Sequence, residues 1–153
     1  MSGTWTIHTD GGARGNPGPA GIGVVVRAPD GGIACQGGAY IGEATNNVAE
    51  YEALLWGMRA ARALGAKDLV VRADSELVVK QMRGEYRVKN EGLKPLFLAA
   101  QSLRRGFDSV EFVHVARAGN AEADALANAA MDSRDVVGDA PEPPAGASGR
   151  LFG

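Results

Sequence analysis

Four carboxylates, Asp10, Glu50, Asp74 and Asp124, fall where an acidic side chain needs a reason. Asp10 closes the alternating stretch TWTIHTD and Asp74 closes KDLVVRAD, so each stands where a strand runs out. If those strands are parallel neighbours, both acids lie at one end of a sheet, the carboxyl end at which open sheets bind ligands. Glu50 shares a helical stripe with Ala53, Leu54, Gly57 and Ala61, the face that turns to a core. An acid on that stripe costs free energy unless it is paired or coordinated. A partly exposed place at the helix edge is the plainer account. Asp124 falls in the first turns of a final helix, where the helix dipole alone favours an acid. The small residues of ALANAAM beside it would let that helix come close to the sheet.

Three or four carboxylates without histidine or cysteine partners make an oxygen-only site suited to a hard divalent cation, Mg²⁺ or Mn²⁺. Two such ions about 4 Å apart are the clamp used for in-line attack on a phosphodiester. Glycoside hydrolysis is the competing chemistry; it needs only two acids, in a sugar cleft rich in exposed aromatics. With two Trp and three Tyr, the chain is poorly equipped for that.

The elements that must position these acids follow from pattern. TWTIHTD, AGIGVVVRAP and GIACQGGAYIG read as three antiparallel strands, the last two joined at the turn PDGG. A helix starts near TNNVAEYEALLWGMRAARALGA, capped by Asn46 or Asn47 and stopped at Gly65. KDLVVRAD is the fourth strand, and SELVVKQM a short helix capped by Ser75. A third helix starts near Pro95, DSVEFVHVA is the fifth strand, and GNAEADALANAAMDS the last helix. This order predicts an α/β fold with a five-stranded mixed sheet, three antiparallel strands and then two parallel ones, flanked by helices. Residues 1–136 read as one domain and 137–153 as a disordered tail, Pro-, Gly- and Ala-rich, ending in RLFG.

Composition bounds the class. At 153 residues, 45% apolar and 22% charged, the chain reads as one soluble globular domain. One cysteine, Cys35, excludes a disulfide framework and a multi-cysteine zinc site. No leader pattern or 18-residue apolar run is present, so the expectation is a cytoplasmic protein, monomeric, with no membrane partner. The net charge of −2 is unevenly spread: Lys80 to Arg105 holds seven basic residues against two acidic ones. A local positive region can hold a nucleic-acid backbone, although on charge alone a solvated surface around one helix is the simpler account.

Taken together, TDGGARGNPGPAGIG, ATNNVAEYEAL, VRADSELVVKQM and HVARAGNAEADALANAA resemble, in order and spacing, the signature blocks of the type 1 ribonuclease H family. The resemblance runs from Thr4 to Met131. It implies the ribonuclease H-like fold and hydrolysis of the RNA strand of an RNA–DNA hybrid by two metal ions, leaving 5′-phosphate and 3′-hydroxyl ends. Asp10, Glu50, Asp74 and Asp124 would be both the catalytic and the metal-holding residues. Gly11, Asn16, Asn46 and Asn47 would lie along the minor groove, with the glycines leaving room for a ribose at Gly11. Thr45, helped by Asn90, would hold a DNA-strand phosphate. The 2′-hydroxyl, exposed in a wide shallow groove, is what separates RNA from DNA at such a site. Double-stranded RNA is a second substrate that the sequence leaves open.

Three departures from the family pattern matter. Where the well-studied bacterial branch has a loop histidine that assists product release or proton transfer, this chain offers Arg117, or His114 at a strand end. Arg117 is the better placed, as in the branch shared by many archaeal and some bacterial enzymes. The basic protrusion that grips hybrid in the bacterial branch is missing. Lys80, Arg83, Arg87, Lys89 and Lys94 are then the cations left for phosphate contact. Finally, Glu76 follows the third acid, among the substrate-facing positions, and Glu43 precedes Thr45; both add negative charge where substrate would bind. The run DGGARGNPGPAG is not a nucleotide-phosphate loop, for it lacks the Gly-Lys-Ser/Thr ending and a following helix. Two alternatives remain: a nuclease or strand-exchange enzyme of the same fold acting on DNA, and a nucleic-acid-binding module without activity.

Overall fold

The alternating N-terminal stretch forms β1 (Thr4–Ala13), which turns back through Arg14–Pro17 into β2 (Gly18–Arg27) and then β3 (Ile33–Ala44) in a computed structural model that describes residues 3–144. The helix α1 (Asn46–Ala63) crosses over to β4 (Asp68–Ala73). Next come α2 (Glu76–Met82), α3 (Lys94–Arg104) and β5 (Ser109–His114). A 3₁₀ turn (Arg117–Asn120) leads into α4 (Ala121–Ser133), and β6 (Val136–Gly138) follows.

The sheet runs β5-β4-β1-β2-β3-β6. The β1–β4 and β4–β5 pairs are parallel and the other three antiparallel. This is the expected mixed α/β sheet with one strand more: six, not five. The added strand is short because it only pairs Val136 to Gly138 along the outer edge of β3.

β2 is buried along nearly its whole length, and its AGIGVVV run is apolar in both registers because helices cover both faces. Gly57 of α1 packs on Ile7, Thr9 and Val24, whereas α4 lies over Gly21 and Gly23 on the other face. That second contact leaves no space for a side chain. A Cβ at Gly23 would lie 2.0 Å from the Ala123 carbonyl oxygen. Gly23 is the register partner of Asp10, so resting α4 on Gly23 delivers the next helical residue, Asp124, to Asp10.

Two sequence expectations change here. Thr45, rather than Asn46 or Asn47, caps α1, its Oγ1 accepting the Val48 N–H at 3.2 Å, while Gly65 takes up φ +92 just past the helix end as anticipated. The tail expected from residue 137 is ordered through the described residues. Gln36 N–H donates to Asp139 Oδ1 (3.0 Å), Ala140 is buried, and the Trp56 indole N–H donates to the Pro141 carbonyl at 2.8 Å. The cause is a need for partners: Trp56 is fully buried and requires an acceptor, and the β3 edge requires pairing. Residues 145–153, with the RLFG ending, lie outside the described residues. No helix among the described residues is long and apolar enough to cross a membrane.

Replacing Gly23 with Ala should push α4 off the sheet and lower unfolding free energy by about 1–3 kcal/mol in denaturant titration. Ending the chain at Gly138 should cost at least about 1–3 kcal/mol, by orphaning the Trp56 N–H, with a red-shift of tryptophan emission as the local readout.

Candidate active site

The last parallel pair of β1 with β4 is Thr9 opposite Ala73, so the next residues, Asp10 and Asp74, leave the sheet side by side. The N-terminal half of α1 closes over them from the opposite face to α4. Gly11 makes this possible, since a Cβ there would fall 2.3 Å from the Ala49 carbonyl oxygen. The sequence suggests space for a ribose at Gly11, but on the Cβ side the helix backbone fills it. The same close approach lets the Gly11 N–H donate to Glu50 Oε1 at 3.1 Å, which fixes the carboxylate over the sheet end.

Asp10, Glu50 and Asp74 each present an oxygen within 4.8 Å of the others. Asp124 is not in that tight trio but stands against Asp10 and lines the same cleft, about 650 Å³ in volume. Burial, then the Asp74 charge and the contact with Asp124, push Asp10 up to about 8. Burial, then Asp74 and Asp10, push Glu50 up to about 9, against the Gly11 N–H and the Arg117 charge, which favour the anion. Asp74 Oδ1 is buried without a hydrogen-bond partner among the described residues. Such an atom is rare and calls for an occupant. An all-oxygen donor set, an orphaned carboxylate oxygen and two acids short of compensating charge fit a hard divalent cation.

The other expected site residues divide. Gly11, Asn46, His114 and Arg117 line the cleft with the acids. Asn16 is exposed and not among the lining residues, its Oδ1 accepting the Asn46 N–H at 3.1 Å. Asn46 Oδ1 accepts the Ala13 N–H at 2.8 Å, tying α1 to the hairpin. Thr45 is the helix cap, and Asn47 is exposed beside it. Glu76 is outside the cleft, paired with Lys80 at 3.3 Å. Asn90 is also outside, its Oδ1 receiving the Gly92 and Leu93 N–H groups. Of the cations expected to meet phosphate, Lys80, Arg83 and Lys94 are paired with Glu76, Glu85 and Glu91. Arg87 and Lys89 make no ion pair among the described residues.

Two residues escaped sequence reasoning. Asn120, only 1% exposed, occupies the N-cap position of α4 but makes no capping bond. Its Nδ2 donates to the Thr9 carbonyl at 2.7 Å and its Oδ1 receives the His8 ring Nδ1 at 3.2 Å. It therefore pins the start of α4 to β1 one residue before Asp10. Gly-Asn ahead of a helix reads as a cap, so nothing local reveals this use. Arg14, at the hairpin tip, also lines the cleft. Nothing in the local sequence singles it out, since the basic residues of the chain concentrate in 80–105.

In chelator the folded protein holds Asp10 and Glu50 protonated at neutral pH, while the unfolded chain releases both protons near 3.8 and 4.5. The stability these two groups contribute is then fully present below pH about 4, falls as pH rises, and is lost by pH about 8–9. The melting temperature in chelator should drop by at least about 5 °C between pH 5 and 9, and Asp10→Asn should flatten the slope.

The chain matches a protein-family model described as reverse transcriptase-like over residues 8–130. It is 48% identical over 125 residues to ribonuclease HI of Halobacterium salinarum, covering 82% of this chain and 63% of that protein. It is also 48% identical over 128 residues to a bifunctional protein of Mycobacterium tuberculosis, covering 83% of this chain but 35% of the relative. It thus spans less than two thirds of either relative. The crystal structure of LC11-RNase H1 in complex with an RNA/DNA hybrid, a protein isolated from compost, matches with a TM-score of 0.81 at 46% identity, over 84% of this chain and 97% of that one.

Proposed function

The chain belongs to the type 1 ribonuclease H family, and from that premise we propose that it is a metal-dependent endonuclease that hydrolyses the RNA strand of RNA–DNA hybrids, leaving 5′-phosphate and 3′-hydroxyl ends. The observation that carries this reading is the trio of Asp10, Glu50 and Asp74 oxygens within 4.8 Å, one of them buried without a partner, in a cleft open to a backbone. Asp10, Glu50, Asp74 and Asp124 would hold two divalent cations, Mg²⁺ or Mn²⁺. When bound, such ions activate water and stabilise the oxygen that leaves.

The protein's own part is to prepare the carboxylates and select the strand. Asp10 and Glu50 would hold the cations as anions, and the Gly11 N–H donates to Glu50 Oε1 and keeps that carboxylate aimed. Arg117, exposed at the cleft mouth, supplies a fixed positive charge beside Glu50 and suits a supporting role at the reacting phosphate. Strand choice falls to the two asparagines. Asn16 and Asn46 each spend the side-chain oxygen on a backbone N–H, which leaves the NH₂ groups as donors. Donors are what a minor groove calls for, with its base acceptors and 2′-hydroxyl oxygens. Thr45 is used similarly: its oxygen accepts from Val48, and its O–H stays available to a DNA-strand phosphate.

Asp74→Asn should fold like the parent by circular dichroism and lose Mg²⁺-dependent cleavage of a labelled hybrid by more than about a hundredfold, beyond what loss of an outer-shell partner costs. The same assay with RNA duplex and DNA duplex, in Mg²⁺ and in Mn²⁺, fixes substrate range. Undiminished cleavage by the variant, or cleavage of DNA duplex alone, would refute the reading.

A further inference from the structure

Arg14 stands at the tip of the β1–β2 hairpin, where its backbone N–H donates to the Pro19 carbonyl at 2.8 Å and the preceding Ala13 N–H is held by Asn46. Its guanidinium leans onto α4: Nη2 lies 2.8 Å from Asp132 Oδ1 and 3.3 Å from Asn128 Oδ1. Arg14 and Asn128 line the same cleft as the four acids. The contact with α4 is solvent-open, with side-chain exposures of 49% for Arg14 and 69% for Asp132. An exposed ion pair of that kind contributes little and is readily exchanged. Asp132 engages the guanidinium through one nitrogen only, whereas a phosphate can take it in a two-pronged charge-assisted contact.

Position favours the exchange. Asp124 is fixed at Asp10 by the seating of α4 on Gly23, and Asn128 and Asp132 follow it by four and eight residues on the same helix. At the rise of an α-helix, this places the anchor points of Arg14 about 6–12 Å along α4 from the acid cluster, a distance of one to a few nucleotides. Arg117 stands at the other end of α4, in the turn that precedes it. Two arginines thus flank the acids along one helix, in a cleft that must accept a polyanion.

On the reading of the cleft as a hybrid-cleaving site, we propose that Arg14 binds a backbone phosphate of the RNA strand next to the reacting one, releasing Asp132 and Asn128 as it does so. Asp132 is then a competitor for Arg14 and not a structural partner. A clamp that merely fastens the hairpin to α4 makes the opposite demand, because losing either end of a clamp has the same effect.

The test uses the full chain and a fluorescent RNA–DNA hybrid in Mg²⁺, with KM, kcat and the salt dependence of KM measured for wild type, Arg14→Ala, Arg14→Gln and Asp132→Asn. Arg14→Ala should raise KM about five- to tenfold with kcat within about twofold, and reduce the slope of log KM against log salt by about one. Arg14→Gln, which keeps a hydrogen-bond donor toward α4, should behave like the alanine variant and covers the case in which alanine impairs folding. Asp132→Asn should leave KM at or below the wild-type value. The inference is overturned if both arginine variants keep the wild-type KM and slope. It is equally overturned if Arg14→Ala and Asp132→Asn raise KM alike with matching losses in melting temperature. A wild-type chain that cleaves no hybrid overturns the underlying reading itself, an outcome distinct from failure of the arginine variants alone.

Discussion

The parallel pairing of β1 with β4 is the constraint from which the rest of the site follows. With Thr9 opposite Ala73, two aspartates leave adjacent strands at the same level and in the same direction. Parallel neighbours require a crossover, and α1 provides it while carrying Glu50 over the strand ends. A shift of one residue in this register would turn Asp10 and Asp74 to opposite faces and dissolve the cluster. The register is secured by burial, because Ile7, Leu69 and Val71 all face the core under α1 and are almost completely excluded from solvent.

The cluster so made is unfavourable in isolation. Burial and mutual repulsion keep Asp10 and Glu50 protonated far above the usual carboxylate range, and one oxygen of Asp74 is left without a partner. The surrounding structure tolerates this because each wall of the site is rigid for its own reasons. Helix α1 meets β1 backbone to backbone at Gly11, α4 meets β2 in the same manner at Gly23, and Asn120 links the start of α4 to the Thr9 carbonyl. A site that repels its own side chains must be held from outside, and close backbone contacts hold it better than exposed ion pairs would.

The polar groups around the acids show a consistent division of labour. Asn16, Asn46 and Thr45 each use an oxygen to fasten the hairpin and the start of α1, and keep a donor in reserve. Of the three, Asn46 lines the cleft itself, while Asn16 adjoins it through the Asn46 backbone N–H and Thr45 along the chain. The positive charge expected along 80–105 is partly consumed within the protein. Arg83 donates to the Phe112 carbonyl and Arg104 to the Met82 carbonyl, which binds α2, α3 and β5 together. Of the cations that line the cleft, Arg117 makes no ion pair among the described residues, and Arg14 is held only by exposed contacts to Asp132 and Asn128.

The sequence by itself determined the strand and helix order, the placement of Asp10 and Asp74 at strand ends, Glu50 on a core-facing stripe and the small-residue face of α4. These are periodic or terminal features, written in local pattern. Only the tertiary structure decided the remainder, since it depends on what each residue meets from elsewhere in the chain. Asn120 resembles a helix cap until the Thr9 carbonyl is seen beneath it. Gly11 suggests room for a ligand until α1 is seen to occupy that room. Residues 137–144 have the composition of a loose tail, yet a buried indole N–H and an unpaired strand edge hold them in place. Local pattern reports which face a side chain turns, whereas hydrogen-bond demand and close packing are set by partners over a hundred residues away, as with His8 and Asn120.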